Sequence, residues 1–179
     1  MTGILEAERT YLSNLLEAIQ RCVYFLESSD RKILWPLDGA VLEARSKDPS
    51  LFEPLAAINE RFAKLQDTLS AAMRHTYLLM GETGDGFLRV LSFFEKLGVV
   101  ETVETWQLTR AARNLAAHDY ETRYAEIARH FNSLHELRCS LYQAASRLID
   151  VCNRELAIQP SSSSFSEEFG NVLASVKLK

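Results

Sequence analysis

Hydrophobic residues recur at intervals of three and four along nearly the whole chain, the period at which one face of an α-helix meets a core. In the first segment Leu12, Leu15, Leu16, Ile19, Val23 and Leu26 form such a stripe, which stops near Ser28-Ser29-Asp30. A long connection over 31–50 follows, with Trp35-Pro36, Asp38-Gly39 and Asp48-Pro49. Ser50-Leu51-Phe52-Glu53 then has the form of a capping box, whose Ser and Glu side chains satisfy open N–H groups of a first helical turn. The second stripe is Leu55, Ile58, Phe62, Leu65, Leu69, Met73, Tyr77 and Met80, ending at Gly81. It predicts about 30 residues of helix, roughly 45 Å at 1.5 Å per residue.

The GETGDG run at 81–86 breaks the pattern. It lacks the Gly-Lys-Ser/Thr ending of a phosphate loop and reads as a helix-breaking turn. A short third helix carries Phe87, Leu91, Phe94 and Leu97 and ends at Gly98. A fourth starts near Glu101, with acidic residues in its first turn as the helix dipole prefers. It carries Trp106, Leu108, Ala112 and Leu115. A long fifth carries Tyr124, Ile127, Phe131, Leu134, Leu137, Leu141, Ala145, Leu148 and Cys152. No alternating β pattern of useful length occurs. The expected fold is all-α: an antiparallel bundle of five helices over residues 1–158, the third and fourth shorter than the others.

Beyond it, residues 159–179 form a Ser-rich linker and a short amphipathic tail. Ser161 to Ser164 is low in complexity and is expected to be mobile. Phe165, Phe169, Val172, Leu173 and Val176 would share one helical face. That face either packs locally or docks on a partner chain.

Composition narrows the functions. The chain has 179 residues, 47% of them hydrophobic, and a net charge of −4. Any nucleic-acid contact must therefore rest on a local basic patch. Cys22, Cys139 and Cys152 are odd in number and form no CxxC pair, so they read as reduced thiols of a cytoplasmic protein. Neither they nor the four histidines cluster at ligand spacing, and no metal or cofactor is expected. No signal pattern or membrane-spanning apolar run is visible.

Candidate chemistry is concentrated in Arg113-Asn114-Leu115-Ala116-Ala117-His118-Asp119-Tyr120. Histidine exchanges protons near neutral pH. Arginine keeps its charge, and its planar fork suits phosphate. Asn114 can orient either one, and Tyr120 offers a hydroxyl. On a helix Asn114 and His118 share a face, Arg113 and Tyr120 share another, and Arg113 and His118 lie about 140° apart. Asp119 and Thr122 are possible N-caps, so a break is expected at 119–122, with His118 in the last turn of the fourth helix. A helix C-terminus favours the imidazolium.

The Arg-x4-His-x-Tyr pattern, with Asn114 after the arginine, resembles the motif of HEPN domains. In that form it is similar to the HepT toxins, which are encoded beside a minimal nucleotidyltransferase antitoxin, MntA. The resemblance spans about Leu5 to Leu156. It implies a metal-independent endoribonuclease, in which the RNA 2′-hydroxyl attacks the adjacent phosphorus and leaves a cyclic phosphate and a free 5′-hydroxyl. It implies that Arg113 stabilises the pentavalent intermediate, that His118 serves as acid or base, and that Asn114 anchors arginine or phosphate. It further implies a homodimer that supplies two histidines, and a Tyr120 that the partner adenylylates to silence the enzyme. The partners so implied are a second copy, an MntA-type nucleotidyltransferase and RNA, with no membrane.

Plainer readings stand beside these. His118 can be structural, Arg113 can pair with Glu104 or Glu126, and Tyr120 can cap the core. His75, His130 and His135 read as surface or core residues, and Trp35 and Trp106 as core anchors. Arg110, three residues before Arg113, is a candidate second phosphate contact. Arg61 and Lys64, one turn apart on the second helix, are weaker ones; with Arg74 on the same helix, they read more simply as a solvated face. The competing function is a non-catalytic nucleotide- or substrate-binding subunit of a minimal nucleotidyltransferase. A third is an adaptor bundle with no site.

Overall fold

A computed structural model describes residues 2–84, 86–116 and 123–177. Among the described residues there are seven helices and no strand: α1 (Thr2–Asp30), α2 (Gly39–Ala44), α3 (Pro49–Leu79), α4 (Phe87–Lys96), α5 (Val103–Ala116), α6 (Tyr124–Leu156) and α7 (Ser166–Lys177). The five periodic segments all form helices. The two additional ones, α2 and α7, lie in the 31–50 connection and in the tail, where short apolar runs find a neighbour to pack on.

The long helices α1, α3 and α6 enclose the core. Leu12, Leu16, Ile19, Val23 and Leu26 of α1 are all fully buried, against Leu55, Ile58, Phe62, Leu65 and Leu69 of α3 and Leu134, Leu141 and Leu148 of α6. Burial of such side chains is worth about 1.5–3 kcal/mol each, which is what orders helices of this length. None of the described helices is long and apolar enough to cross a membrane.

Local chemistry sets the helix ends. The cap of α3 is Asp48, not the expected Ser50 box. Its carboxylate accepts from Ser50 N at 2.9 Å, and Pro49 follows at the first helical position, where its missing N–H and fixed φ cost nothing. At the start of α5 the Thr102 hydroxyl accepts from Thr105 N at 2.9 Å. The break after α3 passes through Gly81 and Gly86, both at positive φ, a conformation that costs glycine little.

Two stripe positions face outward. Leu97 and Leu108 are 38% and 55% exposed. Leu108 is two residues, about 200°, from buried Trp106, so it points away from the core side of α5. Trp106, Thr109 and Ala112, at intervals of three, form the buried face instead.

The 31–50 connection is ordered by specific bonds. Trp35 Nε1 donates to Asp30 O at 3.0 Å. Asn132 of α6 accepts from Leu37 N at 2.8 Å and donates to Leu37 O at 3.0 Å. Asp38 caps α2, and Gly39 lies so near α6 that a Cβ there would come within 2.7 Å of Ala125 Cα. Trp35-Pro36 is cis.

The tail packs on its own chain. Phe169 and Val172 of α7 are buried, and Phe165 lies 5.9 Å from the rings of both Tyr24 and Phe25. The serine stretch is fastened to α1: Ser161 N donates to Ser13 O at 3.1 Å, and Ser161 Oγ donates to Glu17 at 2.6 Å.

Candidate functional site

Arg113 lies in the last turn of α5, where a cation opposes the negative end of the helix dipole. Its guanidinium donates to both oxygens of Asp67 on α3, Nη1 to Oδ1 at 2.5 Å and Nη2 to Oδ2 at 2.8 Å. The sequence offered Glu104 or Glu126 as the pairing alternatives. Glu126 instead pairs with Arg123 at 3.0 Å and Arg129 at 3.3 Å. The Arg113 side chain is 31% exposed and that of Asp67 57%, so the pair is worth little to stability but fixes the direction of the guanidinium.

A buried polar contact lies one turn earlier. Gln66 Nε2 donates to the Thr109 hydroxyl at 2.7 Å, which donates to Trp106 O at 2.7 Å. Gln66 and Thr109 are 1% and 0% exposed. Gln66–Thr109 inside and Asp67–Arg113 outside are successive rungs between α3 and α5, and together they set the register that aims Arg113.

The other candidates are placed unevenly. Arg110 is exposed on α5, one turn before Arg113. Arg61 turns to α1, donating to Phe25 O at 3.1 Å with its guanidinium 5.0 Å from the Phe25 ring centroid. Lys64 is exposed and lies one turn before Asp67. Arg74 rests over Phe87 at 4.6 Å. Asn114 belongs to α5, but its side chain lies outside the described residues, as do His118, Tyr120 and the expected break at 119–122.

A second constellation escaped the sequence reading. Glu27 and Asp30 end α1, and His135 and Arg138 lie at the same three-residue spacing on α6. Arg138, 6% exposed, reaches Glu27 Oε2 through Nε at 3.3 Å and Asp30 Oδ2 through Nη2 at 3.1 Å, and Nη1 donates to His135 O. His135 Nδ1 lies 2.8 Å from Asp30 Oδ1. Its ring stacks on Trp35, with centroids 4.3 Å apart and planes at 23°. The Tyr142 hydroxyl donates to Glu27 Oε2 at 3.3 Å. Arg31 Nε takes Glu27 Oε1 at 3.0 Å.

Burial raises the Asp30 carboxyl above its ordinary value, against the hydrogen bond from His135 and the charge of Arg138. Burial, and then the Glu27 charge, push the Tyr142 phenol well up. The sequence signal was the matched spacing, carboxylates at i and i+3 on one helix and a histidine and an arginine at i and i+3 on another. Trp35, expected as a core anchor, is the half-buried lid of this cluster.

Among the described residues no group of three or more His, Cys, Asp or Glu could hold a metal ion. Comparison with protein-family models, with curated proteins and with solved structures returns no match for this chain.

Proposed function

We propose that the protein is a metal-independent endoribonuclease and the toxin of a toxin–antitoxin pair, its chemistry carried by Arg113 and His118. The observation that carries this reading is the posture of Arg113. A guanidinium is held by a carboxylate through its two terminal nitrogens, at the end of the helix that leads directly into the Asn114–Tyr120 run. Asp67 leaves the Nε–H and the outer Nη hydrogens for a phosphate, and pre-orients them. Exposed Arg110 adds a second positive charge on the same helix.

In this reading Arg113 stabilises the charge of the pentavalent phosphorus. His118 moves the proton of the 2′-hydroxyl or of the leaving 5′-oxygen, Asn114 steadies the arginine or phosphate, and two copies of the chain supply acid and base. The resemblance to HepT toxins implies that the control point is Tyr120. In this reading an adenylyl group there adds phosphate that competes with RNA for Arg113 through charge-assisted hydrogen bonds.

The test compares the wild type with Arg113→Ala and His118→Ala on a structured RNA. Each variant should keep the helical spectrum and lose cleavage by about 10²–10⁴-fold, the usual worth of acid–base catalysis. Cleavage that persists in both variants refutes the assignment. Co-expression with the neighbouring nucleotidyltransferase should add an adenylyl mass to the peptide holding Tyr120. If that mass appears on another residue, the role given to Tyr120 is wrong. A chain that takes up nucleotide through Arg113 but never cuts RNA would be the accessory subunit instead.

A further inference from the structure

An open cleft of about 660 Å³ lies where the end of α1, the 31–38 loop, α6 and the end of α7 meet. It shares no residue with the Arg113 site. Its size is within the range of about 300–1,000 Å³ typical of small-molecule sites. What distinguishes it is how its charges are layered. The carboxylates of Glu27 and Asp30 are inside, with side chains 7% and 3% exposed. Both Glu27 oxygens are taken, by Arg31 on one side and by Arg138 and Tyr142 on the other. Both Asp30 oxygens face His135, and one also meets Arg138.

Hydrogen-bond donors are in front of them. The Arg31 side chain is 58% exposed and that of His135 is 23% exposed. Arg31 uses Nε on Glu27 and Nη2 on Ser175 at 2.8 Å, and neither bond engages its Nη1. His135 commits Nδ1 to Asp30, which leaves Nε2 as its open edge. The cleft thus presents donors to a ligand and keeps its acceptors behind them. Ile33, Trp35 and Val176 add an apolar and aromatic wall. One carboxylate opposes this pattern: Glu136, exposed at the lining.

We infer that this cleft binds a small organic anion, a molecule with a carboxylate or phosphate for Arg31 and His135 and an aromatic or apolar body for Trp35 and Ile33. His135, its Nδ1 committed to Asp30, offers Nε2 to the anion, and the Asp30 carboxylate fixes the orientation of the ring. Trp35 holds the ring in place from its face.

Isothermal titration of the full chain with phenyl phosphate, with benzoate and with inorganic phosphate tests this. Phenyl phosphate and benzoate carry the two anionic groups on the same ring. Saturable one-to-one binding is expected for at least one of them, tighter than for inorganic phosphate. Arg31→Gln should weaken it about tenfold or more, the worth of one charged hydrogen bond, and His135→Gln by at least as much. Glu136→Gln should tighten it. Arg113→Ala should leave it unchanged. Arg31 and Glu136 are exposed, so their replacements keep the test decisive even if His135→Gln folds poorly. No saturable binding, wild-type affinity in Arg31→Gln, or loss of binding in Arg113→Ala would each overturn the inference. Inorganic phosphate binding as tightly as the aromatic anions would remove the apolar wall from it.

Discussion

Replacing Arg138 by methionine isolates what the buried charge cluster contributes. Methionine keeps much of the side-chain stem, so the change is mainly the loss of the guanidinium. Its contacts at 3.3 Å to Glu27 and 3.1 Å to Asp30 disappear, and two buried carboxylates lose a cation. Breaking a buried pair from one side costs about 3–5 kcal/mol. Glu27 keeps Arg31 and Tyr142, and Asp30 keeps His135, so the low end, about 3 kcal/mol, is expected. With a urea slope of about 2 kcal/mol/M, the midpoint followed by circular dichroism should fall by about 1.5 M.

The pH dependence has a definite sign. Asp30 already has a folded pKa above 3.8, and without Arg138 it should rise further. A raised carboxyl pKa removes stability as pH climbs from the unfolded value through the folded one. The variant's deficit should therefore shrink as pH is lowered toward 4. Adding Glu27→Gln and Asp30→Asn to Arg138→Met should recover more than half of the loss, because no stranded charge is left. A midpoint shift below about 0.3 M for the single variant would refute the reasoning.

Other outcomes are equally definite. Gly39→Ala should lower the unfolding midpoint and loosen the contact of α2 with α6, read by faster amide exchange over 39–44, since its Cβ would meet the Ala125 backbone. Asp48 is held at a pKa of about 2 by hydrogen bonds from Ser50 and Arg45. Its contribution is therefore present above its unfolded value and lost as pH falls from about 4 to 2, and Asp48→Ala should flatten that part of the acid-unfolding curve. Cys152 is pushed to about 11 by burial, against a hydrogen bond with Thr76, so it should resist iodoacetamide at pH 8 until the protein is unfolded, as mass mapping will report.

The helices were readable because their apolar positions repeat at the helical period over several turns, as in α1, α3 and α6. The shortest element, α2, was not. The six residues of α2 depend on Asp38 and on close approach of Gly39 to α6, a tertiary fact invisible in the pattern. Leu108 misled because an apolar residue on a short helix gives no phase by itself; Thr109, a polar residue bonded to Gln66, occupies the interior instead. The Arg113 run stood out in the sequence as a candidate, but the carboxylate partner of Arg113 did not, since Asp67 is 46 residues away on another helix. The cluster under Trp35 was hidden for the same reason. Its members are ordinary charged residues until α1 and α6 pack antiparallel and bring two three-residue spacings into register.

The nuclease reading is tested most directly by the ends it leaves. Purified protein should cut RNA in the presence of excess EDTA and leave 2′,3′-cyclic phosphate and 5′-hydroxyl termini, with no such products from His118→Ala. RNA left intact by protein freed of its partner nucleotidyltransferase, or cut to 5′-phosphate ends only when a divalent metal is restored, would contradict the account.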